Sequence, residues 1–140
     1  MPDLDQLAER FIARTLPKAE WTHEAHLRVG TWHLYHHGLG EAMVLLRERI
    51  SRYNEAVGGV NTDTDGYHDT ITWFYLVMID DLLGRVGNGR TVEELADLAV
   101  AKLGDRDLPF TFYSRERLKS VAARRGIVEP DVAPLPGPVV

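Results

Sequence analysis

The chain of 140 residues contains no cysteine. That removes a disulfide framework, a thiolate metal site and a cysteine nucleophile, so any metal ion must be held by imidazole, carboxylate or amide groups. Long apolar runs are missing too. The longest, Trp73 to Ile79, is far below the roughly 18 residues that suggest a membrane span, and it reads as buried helix. The amino terminus, Met1-Pro2-Asp3-Leu4-Asp5, has neither the basic start nor the apolar stretch of a signal peptide, so export is not expected. Positive charge is in deficit: 16 Lys and Arg against 21 Asp and Glu give a net charge of -5, which argues against general binding to nucleic acid or anionic membranes. Fixed-period repeats, low-complexity blocks and strand-like alternation are also lacking, so nothing supports a sheet. A cytoplasmic, bacterial-type protein is the expectation.

What is present points to an all-α fold. A chain of this length suits one domain that buries roughly two-thirds of its unfolded surface. Leu4, Leu7, Phe11 and Ile12 recur at helical spacing after a possible Asp3 cap, and Pro17 closes that pattern. Thr22 reads as the N-cap of a second helix that runs to the His36-His37-Gly38 stop. A third runs from about Gly40 to Gly58-Gly59. A fourth begins near Gly66 and is apolar around most of its circumference, as an enclosed helix should be. Thr91-Val92-Glu93-Glu94 is a capping box for a fifth helix ended by Gly104, and Ser114 caps a sixth ended by Gly126. The expectation is a bundle of five to six helices over residues 1–126. A tail over residues 127–140 follows, extended because Pro130, Pro134, Pro136 and Pro138 exclude helix, and a candidate to join two copies as a homodimer.

Histidine carries the functional reading. Trp21-Thr22-His23-Glu24-Ala25-His26-Leu27 and Asp65-Gly66-Tyr67-His68-Asp69-Thr70 each open a helix, and an up-and-down bundle brings both openings to one end. His23 and His26 are three apart and so are neighbours on the helix surface. The expected site therefore has His26 and His68 as metal ligands, with His23 as a third ligand or proton carrier. Tyr53 and Tyr67 stand beside them as catalytic groups, and Asn54, Asn61 and Thr62 as ligand-binding groups. Imidazoles plus water suit Zn²⁺, and replacing water with Glu24 or Asp69 makes Fe or Ni equally suitable. The spacing is not the His-Glu-x-x-His of zinc proteases. Alternatively, the same groups cap helices or hold an anion with no metal.

Other patterns compete. Asn61, Asp63, Asp65, Gly66, Tyr67 and Asp69 match six positions of a calcium-binding EF-hand loop, but Thr72 stands where the bidentate Glu belongs. Glu20-x-x-His23 and Asp65-x-x-His68 echo the carboxylate-x-x-His pairs of di-iron bundles, at helix ends rather than mid-bundle. His33 and His37, four apart, could meet Asp80 and Asp81, or simply offset the helix dipole. Arg115, Arg117, Lys119, Arg124 and Arg125 make the sixth helix basic.

Taken together, Trp21-Thr22-His23-x-x-His26-Leu27, Arg52-Tyr53-Asn54, Asn61-Thr62 and Gly66-Tyr67-His68-x-Thr70 resemble a family of small, uncharacterised bacterial helical proteins. The resemblance extends to Ser114-Arg115-Glu116-Arg117 and Val128-Glu129-Pro130. It implies a shared helical fold and attaches no activity. The function expected from the residues is a divalent-metal-dependent, hydrolytic or related enzyme acting on a small molecule. The rival is a binding or assembly module without metal.

Overall fold

A computed structural model describes residues 3–136. Among them are seven α-helices and two short 3-10 segments, and each long helix starts at a side-chain cap or a glycine. In α1 (Leu4–Ile12), Asp3 accepts the Gln6 N–H at 2.8 Å, and Leu4, Ala8 and Phe11 form the buried face. The helix stops before Arg14, whose φ of 64° lies in the left-handed region. In α2 (His23–His37), Thr22 accepts the Ala25 N–H. Gly38, at φ 81°, ends α2 and at once begins α3 (Leu39–Ala56), so one residue reverses the chain. The fifth helix, α5 (Val92–Leu103), begins with the expected reciprocal box between Thr91 and Glu94.

Two boundaries differ from expectation. Helix α4 (Asp69–Val86) opens three residues after Gly66, because His68 is its N-cap and accepts the Ile71 N–H. The expected sixth helix is two: α6 (Arg115–Leu118) and α7 (Val121–Arg125). Ser114 caps the first and Ser120 the second, each accepting an N–H three residues on at 3.1 Å. A second Ser cap so soon after the first resets the chain where a continuous helix was expected. The count therefore rises from five or six to seven.

Helix α2 packs against α1, α3, α4 and α5, and α4 packs against α3, α5 and α7. Phe11, Leu27, Val29, Leu46, Leu76 and Ile79 belong to the main core. A smaller core of Phe74, Tyr113 and Leu118 lies beside it, with Val128 and Leu135 of the tail against it. The described part of the tail, 127–136, has no helix and bends at 131–133, and hydrogen bonds tie it to the rest of the chain. Val128 N–H donates to Thr70 Oγ1, Val132 N–H donates to the Phe112 carbonyl, and Asp131 accepts two hydrogen bonds from Ser114. Pro138 and the end of the tail lie outside the described residues. Among the described residues no helix is long and apolar enough to cross a membrane.

The loop between α3 and α4 depends on one glycine. Gly66 has φ 87°, and a Cβ there would meet the Val60 carbonyl oxygen at 2.0 Å. Gly66→Ala should therefore cost about 2 kcal/mol or more in urea denaturation. Gly84→Ala, in α4 with open space around it, should instead stabilise by about 0.5–1 kcal/mol.

Candidate functional site

A cavity of about 510 Å³ lies between α2, α3 and α4 and beneath the segment after α5. Its inner wall is aliphatic, with Leu27, Leu46, Ile50, Leu76 and Ile79, and its polar groups are Thr22, His23, His26, Thr72, Tyr75 and Arg106. The first turn of α2 supplies the imidazoles. Thr22 holds extended backbone, φ -85° and ψ 171°, which starts the helix there and sets His23 and His26 on one face. Trp21 stacks between Phe11, centroids 4.4 Å apart, and the His26 ring at 3.8 Å.

The tautomer of His26 follows from its partner. Nδ1–H donates to the Thr22 carbonyl at 2.6 Å, so Nε2 keeps a lone pair. The ring retains exposed surface at the cavity, yet protein crowds most of its surroundings. That crowding, helped by His23 and Arg106 and opposed by the Thr22 carbonyl, lowers its pKa to about 4. His26 is therefore a neutral acceptor at pH 7. The His23 ring meets Tyr75 edge-on at 5.3 Å, and its Nε2 is buried without a hydrogen-bond partner. Burial first, then Arg106, lowers the His23 pKa, while the Leu103 carbonyl and Asp105 pull the other way. An orphaned buried nitrogen is uncommon, and with no accessible surface this one is closed off from the cavity.

The remaining expected site residues are placed elsewhere. Tyr53 is wholly buried against Phe11 and Trp21 and donates its O–H to the Leu16 carbonyl at 2.7 Å. It ties α3 to the segment after α1 and does not line the cavity. His68 Nδ1 accepts the Ile71 N–H, so its Nε2 carries the proton and donates to the Leu118 carbonyl at 2.7 Å. Both nitrogens are committed, leaving no lone pair to share with His26, and the expected His26–His68 ligand pair does not form. Asn61, Thr62 and Tyr67 belong to the loop before α4, and Asn54, in the last turn of α3, bonds to it. There Asn61 Oδ1 accepts from Asn54 Nδ2 and the Tyr67 N–H, and Thr62 Oγ1 accepts the Asp65 N–H. The Tyr67 hydroxyl donates to Asp69 at 2.7 Å, and Arg47 clasps the same carboxylate through two bonds of 2.9 and 3.0 Å. Burial foremost raises the Tyr67 pKa, with Asp69 adding to the effect. Asn61, Thr62, Tyr67, Asp69 and Arg47 line a separate cleft of about 280 Å³ with Arg124 and Arg125.

The competing patterns resolve in the same terms. Asp63 pairs with Arg125 and Asp69 with Arg47, so two of the three EF-hand-like carboxylates are already partnered by cations, and Asp65 accepts from the Thr64 hydroxyl. His33 is buried, donates Nδ1–H to the Val29 carbonyl and accepts from Arg49 at Nε2. His37 pairs with Glu41, and Asp81 with Arg85. The basic side chains near the end bond internally, Arg117 to the Glu129 carbonyl and Arg124 to that of Gly66. Among the described residues no group of three or more His, Asp or Glu is gathered to hold a metal ion. Sequence reasoning missed Arg106, Thr72 and Tyr75. A hydroxyl inside the apolar run of α4 was a visible clue for Tyr75, but no local pattern marks the loop carrying Arg106. No family model, curated protein or solved structure matches the chain, so the reading of the site rests on its geometry.

Two tests follow. Tyr53→Phe should cost about 1–3 kcal/mol in urea denaturation, because it strands the buried Leu16 carbonyl, and should leave ligand binding at the cavity unchanged. Stability should also fall in acid. Burial, reinforced by Arg49, His37 and His36 and opposed by the Val29 carbonyl, lowers the His33 pKa from 6.5 to about 4. Between those values the unfolded chain binds a proton that the folded chain refuses. Stability is thus fully present above pH 6.5 and declines as pH falls toward 4, by about 3 kcal/mol from this group. Urea midpoints measured from pH 7 to pH 4 check the sign.

Proposed function

We propose that this chain binds a small, largely apolar molecule in the cavity between α2, α3 and α4, with the polar groups at the head of α2 recognising its polar end. The observation that carries the reading is the combination of an aliphatic cavity of about 510 Å³ with the His26 imidazole in its lining, whose Nε2 keeps a free lone pair. Small-molecule sites have this size and composition, mostly apolar with a few convergent polar groups. Apolar wall left facing water costs about 25 cal/mol per Å², which a ligand recovers. His26 gives the site a chemical capability beyond binding: it is neutral near pH 7 and can take a proton from a bound ligand.

A second reading keeps a divalent ion, with His26 Nε2 and His23 as its two protein ligands. The three-residue spacing and the lone pair on His26 favour it. Water or the ligand itself would fill the remaining positions. Protein purified without a tag or chelator and analysed for metal tests it: stoichiometric metal lost in His26→Ala supports it, and no uptake after reconstitution with Zn²⁺, Fe²⁺ or Ni²⁺ contradicts it.

The binding reading is tested with a neutral apolar probe. 1-Octanol should raise the melting temperature of the native chain in a saturable way and perturb the fluorescence of Trp21, which lines the cavity. Ile50→Phe, which adds bulk to the cavity wall, should weaken binding at least tenfold while keeping the helical circular dichroism. Equal affinity in both proteins, or no saturable effect on the native chain, contradicts the proposal.

A further inference from the structure

We infer that the ligand of this cavity is an amphipathic monocarboxylate, its carboxylate held by Arg106 and its aliphatic chain lying against Leu27, Leu76 and Ile79. The inference rests on the cavity being a binding site, as proposed above, and adds the chemistry of the head group.

Arg106 lies between Asp105 and Asp107, yet none of the ion pairs among the described residues includes it. Other arginines of this chain find carboxylates: Arg28 holds Glu24 and Asp97, Arg47 holds Asp69, and Arg125 holds Asp63. The reason is local. The Asp105 carboxylate turns back to accept the Asp107 N–H at 2.9 Å. Of the three charged residues only Arg106 lines the cavity. Its guanidinium is close enough to act electrostatically on both His23 and His26.

A free guanidinium beside apolar walls fits a planar carboxylate, which it binds through two parallel N–H donors. Tyr75 brings a hydroxyl to the same lining. Charge decides between anions. One cation with two neutral imidazoles, flanked by Asp105 and Asp107, suits a single negative charge and works against a phosphate dianion. Leu27, Leu46, Ile50, Leu76 and Ile79 outnumber Trp21, Tyr75 and Phe110 in the lining, and these branched aliphatic side chains suit a flexible alkyl chain.

Isothermal titration with octanoate, octyl phosphate and 1-octanol, on the native chain and on Arg106→Gln, tests the assignment. Because Arg106 is exposed, the variant should fold, and circular dichroism verifies it. Octanoate should bind the native chain at least tenfold tighter than 1-octanol. Arg106→Gln should erase that advantage and leave 1-octanol unaffected, and Arg106→Lys should restore part of it. If 1-octanol matches octanoate on the native chain, the anionic head group is wrong while the cavity stands. Tighter binding of octyl phosphate overturns the choice of carboxylate. Octanoate affinity that Ile50→Phe does not change means adsorption at the surface and overturns the inference. If no probe binds, the cavity reading itself falls.

Discussion

Close packing around α2 is the constraint from which the rest of this structure follows. One helix can touch four others only where its side chains are small enough to let neighbours approach. On α2 the buried positions include Ala25, Gly30 and Thr31. A Cβ on Gly30 would stand 3.4 Å from the Ile79 side chain and 3.8 Å from Leu76, which is full van der Waals contact. This is where α2 and α4 meet. Toward the head of α2 the contacts are made by larger groups, His23 against Tyr75 and His26 against Trp21. The cavity lies among these elements.

The same enclosure creates a polar problem that α2 solves by one device used three times. His26, Thr31 and His33 each donate to the carbonyl four residues earlier, those of Thr22, Leu27 and Val29, at 2.6 to 2.8 Å. Donation from Nδ1 fixes each imidazole as the tautomer with a free Nε2. In His33 that nitrogen is satisfied by Arg49, and the group is structural. His26 lines the cavity and its Nε2 has no such partner, so the group is available for chemistry. Identical backbone anchoring thus yields a core residue at one end of the helix and a candidate functional residue at the other.

Features set by a few adjacent residues were legible in the sequence. The Thr22 cap, the Gly38 stop, the Thr91–Glu94 box and the enclosed character of α4 all appear as expected, because each depends on contacts within one or two turns. The all-α fold follows from them. The site was legible only in part. His23 and His26 share a helix, so their proximity needed no tertiary knowledge. Bringing His68 to them required the axial offset between α2 and α4, which no local pattern encodes. In the structure His23 meets Tyr75, about two turns beyond His68, and His68 serves as a cap instead. Asn54, Asn61, Thr62 and Tyr67 looked like recognition residues because they are polar and cluster near a glycine. The turn at Gly66, which only glycine fits, explains them better, as the bonds that hold that loop closed.

Binding of an apolar molecule by this chain depends on an open apolar cavity beside His23 and His26. Crystals pressurised with xenon test it without presuming a ligand, since xenon enters dry apolar cavities and little else. Ordered xenon among Leu27, Leu76 and Ile79, with the surrounding side chains unmoved, is the expected result. A filled interior, with those side chains packed together and no xenon between them, would show that there is no site to bind anything.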